Sequence, residues 1–303
     1  MIRILGTIFA GLLGLAFGSF LNVCLTRWPQ GESIATPRSH CRNCDHKLSW
    51  WENIPLFSWL ALRGRCRNCH TAIGWRYPLV ELAVGTLWAT AAWRFQTNVL
   101  DPDLPRVALY DSLLTVIGWM IFYWLLVAMA ILDAENLWLP NWLTWPGTVA
   151  GFLLSAFGFV VAVTLDSITQ SRPYTFQYLH GEQWEVARSR LLAILAAAAL
   201  ILLIRWLYKL IRHREGIGLG DAKLMALLAA WLGLDGALLA FALGVFLGVL
   251  VALVLLINPR KESNAGNWSL RKLPLGTFLC IGGIISSLWG QPIIAAYLHW
   301  AGF

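Results

Sequence analysis

Two groups of side chains in this 303-residue chain have types and spacings that support chemistry. The first is Cys41, Cys44, Cys66 and Cys69, two Cys-x-x-Cys pairs with 21 residues between them. Four thiolates in two close pairs meet the tetrahedral demand of a structural zinc ion. The spacer is slightly longer than that of a typical zinc ribbon. A disulfide or redox pair of knuckles is the competing reading, disfavoured in a reducing compartment. His40, His46 and His70 lie close by and read as loop histidines, not ligands. A closed four-thiolate site has no open coordination position, so this metal is expected to order a loop and not to catalyse. Cys24 and Cys280 lie in apolar runs and read as small buried residues.

The second group is a pair of carboxylates, Asp133 and Asp221. Asp221 follows Gly218-Leu219-Gly220, where two glycines allow a tight turn and close backbone approach. It also stands where a helix N-cap would be, which is its plain structural reading. Asp133 lies in Leu132-Asp133-Ala134-Glu135-Asn136, where a polar turn is the plain reading and Glu135 is a rival carboxylate. Two carboxylates brought together can share one proton. The ionised member then acts as base on a water while its protonated partner polarises a carbonyl. No Gly-x-Ser-x-Gly, His-Glu-x-x-His or P-loop pattern competes in this chain.

The elements that must position these groups follow from composition. Hydrophobic residues make up 58% of the chain, charged residues only 13%, and there are 18 tryptophans. The charged share is about half that of soluble domains. This excludes an ordinary soluble globule, a disordered chain and a disulfide-rich secreted module. Uncharged runs of 23, 21, 30, 24 and 31 residues follow Arg3, Asp111, Glu135, Asp235 and Lys272. Each is long enough to cross the bilayer as a helix, which takes about 20 residues. Three weaker candidates lie at 79–93, 191–210 and 222–234. The expectation is therefore an all-α polytopic membrane protein of about eight transmembrane helices with a small zinc-ribbon-like loop domain. Its parts are a first helix over 1–26, a loop domain over 27–78 carrying the four-cysteine site, and a transmembrane domain over 79–303 carrying both aspartates. The first run is read as a retained span, being too long for a signal peptide and lacking a small-residue cleavage site.

Orientation follows from lysine and arginine. With the N-terminus outside, the loops at 27–78, 133–141, 211–223 and 258–274 hold 15 Lys and Arg, against 6 in the outer segments. Asp133 and Asp221 then share the cytoplasmic border, while Asp101, Asp103, Asp111, Asp166 and Asp235 read as loop charges on the other side. An ionisable group at a membrane segment is a functional candidate by default. The net charge of +7 is thus a mark of orientation, and no nucleic-acid partner is expected. Trp28, Trp75, Trp138, Trp142 and Trp145 fit interfacial anchors in membrane lipid.

Taken in order, these phrases resemble the type IV prepilin leader peptidases, also called prepilin peptidase/N-methyltransferases. The resemblance is carried by Gly18-Ser-Phe-Leu-Asn-Val23 with Arg27 and Pro29, the paired cysteines, Asn53-Ile-Pro55 and Arg76-Tyr-Pro-Leu-Val-Glu81. It continues through Asp133 with Pro140, Gly218-x-Gly-Asp-x-Lys-Leu224, and Leu273-Pro-Leu-Gly276 with Phe278. It implies a bacterial inner-membrane aspartic endopeptidase that cuts the basic leader from prepilins or pseudopilins at the cytoplasmic face. Asp133 and Asp221 match the family's catalytic pair, and Cys41, Cys44, Cys66 and Cys69 its zinc-associated cysteines. It also implies methylation of the new N-terminus with S-adenosyl-methionine, an activity associated with the first cytoplasmic loop. The chain departs from the family pattern at Asn141, at Glu135-Asn136 and at Leu275-Gly276-Thr277, where Phe-Gly-Pro is usual. These departures are expected to bear on substrate fit. A peptidase without methylation, and a non-catalytic zinc-ordered transporter or scaffold, are the other readings. Against the transporter, no internal repeat is evident and the carboxylates sit at one edge.

Overall fold

A computed structural model describes residues 2–95, 106–170, 180–213, 218–257 and 273–302. The expected basic loop at 258–272 and the segments 96–105, 171–179 and 214–217 lie outside the described residues. The described chain is helical, with two isolated β-bridges, His40 with Lys47 and Arg65 with Ala72. The long helices are α1 (Ile2–Arg27), α3 (Arg76–Phe95), α4 (Arg106–Asn136), α5 (Asn141–Gln170), α6 (His180–Arg212), α7 (Leu219–Ile257) and α8 (Leu275–Ala301); α2 (Phe57–Ala61) is a short helix in the loop that precedes α3.

Helices stand at all eight expected positions. The expected sixth and seventh spans are the two helical halves of α7, which meet at a non-helical residue, Gly233, with φ 76° and ψ −177°. Only glycine adopts such a conformation without strain. Among the described residues, five helices are long and apolar enough to cross a membrane: α1, α4, α6, α7 and α8. Their outer faces carry large apolar side chains, among them Phe9 (68% exposed), Leu192 (59%) and Phe246 (60%). Water would not tolerate so much exposed apolar surface, whereas lipid does. Asp111 and Asp166, expected in loops, lie within helical backbone because α4 and α5 run past their apolar stretches, and Asp235 lies two residues after the break at Gly233 in α7.

The chain divides into two compact units, Met1–Ala128 with Gly158–Tyr174, and Met129–Phe157 with Thr175–Phe303. In the first, α1 and α3 pack through small residues. A Cβ on Gly14 would lie 2.9 Å from the Gly85 Cα, and one on Gly18 would lie 2.7 Å from the Glu81 Cα. Such close backbone approach is how helices associate without a hydrophobic driving force. The second unit uses the same device. A Cβ on Gly282 would fall 2.2 Å from the Ala240 carbonyl oxygen, bringing α8 against α7. The start of α5 is tied to α7 by Trp231, whose indole N–H donates to the Gly147 carbonyl at 2.9 Å.

Candidate functional sites

The cysteine site lies in the first unit. Two knuckles of similar sequence, Cys41-Arg-Asn-Cys44 and Cys66-Arg-Asn-Cys69, fold alike. In the first, Cys41 N–H donates to the His46 carbonyl and Asp45 N–H to the Cys41 carbonyl, both at 2.9 Å. In the second, Cys66 N–H donates to the Thr71 carbonyl at 2.9 Å and His70 N–H to the Cys66 carbonyl at 3.0 Å. Asp45 and His70 close the two turns with positive φ, 53° and 56°.

The four Sγ atoms lie within 4.8 Å of one another. Cys41 and Cys69 are 3.7 Å apart and Cys44 and Cys66 are 4.0 Å apart, far too long for disulfides. A tetrahedral ion with Zn–S bonds of about 2.3 Å has S···S edges of about 3.8 Å, so the cluster fits zinc. The protein environment divides the thiols. The Thr71 hydroxyl and backbone hold the Cys69 thiol down at about 5. Cys41 is pushed up to about 11: Asn43's backbone N–H pulls it down, but burial and its sulfur neighbours prevail. His40, His46 and His70 stay outside the cluster, and His46 instead faces Glu52 at 3.4 Å. Glu52 also accepts the Ser49 N–H at 2.7 Å. Cys24 and Cys280 are fully buried, as expected.

The loop is fastened to the membrane helices at its ends. The buried Arg27 guanidinium donates to the carbonyls of Ser33 (2.8 Å) and Pro37 (2.6 Å). The buried Glu81 carboxylate, on α3, accepts the Leu56 N–H at 2.8 Å.

The carboxylate site lies in the second unit. Asp133 sits in the last turn of α4, which ends at Leu137, a residue with φ 50°. Asp221 sits in the first turn of α7. Both are buried, at 6% and 8% exposure, whereas Glu135, the rival, points outward. Asp133 and Asp221 lie within Coulombic reach of each other, and Cys280 lies within reach of both.

Each carboxylate is held by a helix terminus. Gly218 N–H donates to Asp221 Oδ2 at 3.2 Å. Thr277 N–H, in the first turn of α8, donates to Asp133 Oδ2 at 2.8 Å. A helix start carries free N–H groups and a positive dipole end, so it suits a carboxylate. The Thr277 hydroxyl lies 2.9 Å from the Ala130 carbonyl and 3.4 Å from Asp133 Oδ2. Close approach requires glycine beside it: a Cβ on Gly276 would lie 2.8 Å from Asp133 Oδ2. Leu139 fills the space between the two termini, 3.1 Å from the Cβ positions of both Gly220 and Gly276. Lys223 donates to the Asn141 side-chain carbonyl at 2.5 Å, joining the starts of α5 and α7.

Asp133, Asp221 and the four cysteines stand out by residue type and spacing, whereas nothing local in the sequence marks Thr277 or Leu139 as supports of the aspartates. Two of the departures from the family pattern therefore fall beside Asp133 and Asp221. Thr277 bonds Asp133 directly, and Asn141 holds Lys223, two residues from Asp221.

A model of the bacterial peptidase A24 N-terminal domain matches residues 12–95, and a model of the type IV leader peptidase family matches residues 120–253. The first match contains the four cysteines and the second contains both aspartates. The chain is 32% identical to the prepilin leader peptidase/N-methyltransferase of Stutzerimonas stutzeri over 313 residues, 96% of this chain and 93% of that protein. It is 33% identical to the Pseudomonas aeruginosa protein of the same name over 315 residues, 96% of this chain and 93% of that protein. A Burkholderia pseudomallei protein of that name is 33% identical over 309 residues, 94% of this chain and 85% of that protein. No solved structure matches the chain significantly.

Proposed function

The chain belongs to the type IV leader peptidase family, and on that premise we propose that it is an aspartic endopeptidase that removes the leader from type IV prepilins or pseudopilins. The same chain then methylates the new N-terminus. The names of its relatives support both activities. The observation that carries the peptidase half is the burial of Asp133 and Asp221 within reach of each other's charge.

The dyad works by holding one proton between two carboxylates that cannot comfortably ionise together. The ionised member takes a proton from a water, whose oxygen attacks the scissile carbonyl carbon. The protonated member donates to the carbonyl oxygen as charge develops there. When the tetrahedral intermediate collapses, the C–N bond breaks and the leaving nitrogen takes up a proton from the dyad. Thr277 N–H on Asp133 and Gly218 N–H on Asp221 orient the two carboxylates for this exchange. Gly276 and Leu139 keep the two helix termini at a fixed separation.

The site is placed at the cytoplasmic border of the bacterial inner membrane, on the lysine and arginine bias of the loops. A prepilin has a basic leader and an apolar helix, so the same bias leaves its scissile bond at that border. The reading keeps a first helix over 1–26, a cytoplasmic loop domain over 27–78 and a peptidase domain over 79–303. Zinc at Cys41, Cys44, Cys66 and Cys69 orders the loop domain. For the second activity, S-adenosyl-methionine supplies an electrophilic methyl group on a sulfonium.

The test is processing of a purified prepilin by the full-length protein in membranes, read by mass spectrometry of the mature N-terminus. Cleavage with a one-methyl mass increase supports the bifunctional reading. Cleavage with a bare amine reduces it to a peptidase. An unprocessed substrate overturns it.

A further inference from the structure

The first unit contains a cavity of about 340 Å³ between the end of α1, the start of α3 and the cysteine loop, within the size range of small-molecule sites. Asn22, Glu81, Ser19, Tyr77, Asn53 and Trp59 are among its lining residues. Asp133 and Asp221 belong to the other unit.

Two features of the lining point to a ligand. Asn22 is 2% exposed, and its side-chain N–H donates to the Tyr77 carbonyl at 2.9 Å. That bond fixes which way the amide faces. Its Oδ1 is left buried with no hydrogen-bond partner among the described residues. A buried acceptor without a donor is costly, and such an atom in a native fold calls for a partner. Glu81, the second feature, is also buried, and Oε2 takes the Leu56 N–H while Ser19 donates a further bond. These donors are neutral, and no described cation pairs with Glu81. Arg27 and Arg42 also line the cavity, but Arg27 donates to the Ser33 and Pro37 carbonyls and Arg42 faces Glu32 and Gln30. Buried carboxylates are ordinarily paired, so Glu81 stands without a cation partner in the same lining as an orphan acceptor.

We infer that this cavity binds an amine-bearing cation, with Asn22 Oδ1 and the Glu81 carboxylate as its acceptors. A protonated amine supplies what both lack, several N–H donors and a positive charge. Trp59 adds an aromatic wall suited to a cationic guest, whereas the Tyr77 ring already faces the Arg76 guanidinium, 4.9 Å from its centroid. The inference rests on the methyltransferase half of the function proposed above. That reaction has two participants carrying such a group: the methyl donor, with its α-ammonium, and the amino terminus of the cleaved substrate.

The experiment is a binding titration of the purified full-length protein in detergent, run in two arms. One arm uses S-adenosyl-methionine. The other uses a short peptide with an apolar first residue and a free amino terminus, with its N-acetylated form as control. Glu81→Gln removes the charge but keeps the shape, and Asn22→Leu removes the acceptor. Each is expected to weaken one of the two ligands on the order of tenfold or more. The arm that responds identifies the source of the amine. Metal content and melting temperature confirm that each variant is folded. Unchanged affinity for both ligands in folded Glu81→Gln and Asn22→Leu overturns the inference. So does failure of the wild-type protein to bind either ligand, which would leave the cavity to water. Leader cleavage is judged by a separate assay, so its failure and this one are distinguishable.

Discussion

Thr277 N–H and Asp133 Oδ2 are 2.8 Å apart, although 144 residues separate them in the chain. The start of α8 thus donates to a carboxylate at the end of α4. The Thr277 hydroxyl has one proton to give and lies closer to the Ala130 carbonyl than to Asp133. Its work is to lock α8 onto α4, while the backbone N–H orients the carboxylate. Thr277→Val, which keeps the N–H, is therefore expected to lower the rate of leader cleavage by less than about tenfold, the scale of one hydrogen bond. A pulse-labelled processing assay measures it.

The two glycines that approach Leu139 are expected to behave differently. A Cβ at Gly220 meets only the Leu139 side chain, the nearest contact being 3.1 Å, and a flexible leucine can yield. A Cβ at Gly276 meets Asp133 Oδ2 itself at 2.8 Å. Gly220→Ala is expected to retain most activity and to improve when combined with Leu139→Ala. Gly276→Ala displaces the carboxylate and is expected to lose about 10²-fold in cleavage rate, the scale of a 1 Å misplacement. Leu139→Ala should not restore it. Steady-state cleavage rates of the four variants provide the check.

Metal removal should unfold the loop domain before anything else. Cys44→Ser leaves three thiolates and is expected to reduce bound zinc from about one ion per chain to none, since a structural site needs all four ligands. Elemental analysis measures the metal, and limited proteolysis should then cut between residues 27 and 75.

Glu52 gives the loop domain a pH dependence. Burial alone would raise its carboxyl, but the Ser49 N–H and hydroxyl and the facing His46 outweigh that and hold it below the ordinary 4.5. A group depressed in the fold stabilises it above the unfolded value and loses that contribution as pH falls through the folded value. The contribution is thus full at pH 7 and disappears only below 4.5. Glu52→Gln should flatten the acid limb of loop stability below that pH and weaken the loop at neutral pH. Proteolytic protection measured from pH 7 to pH 3 tests this.

Much of this architecture was legible in the sequence, because a membrane helix is written locally. A charge-free run reads as a span wherever it occurs, and the matched Cys-x-x-Cys phrases point to each other. Asp133 and Asp221 stood out as carboxylates at the ends of apolar runs. What escaped was the company they keep. Thr277 looks like an ordinary residue near a proline, and only the return of α8 to α4 makes it a ligand of Asp133. Gly233 reads as one glycine among 26, so the sharp backbone turn that joins the two halves of α7 was not legible, although the two spans themselves were. Asn22 and Glu81 were single polar letters in apolar text. The cavity they share forms only when the cysteine loop folds back over α1 and α3.

The most direct test is the rate of prepilin leader cleavage by Asp133→Asn and Asp221→Asn, each assayed in membranes at matched protein level and zinc content. Asparagine keeps the shape and removes the exchangeable proton. Each variant is expected to lose at least about 10²–10⁴-fold, the range of a general acid–base group. Processing at the wild-type rate by either one would contradict the paired-aspartate account.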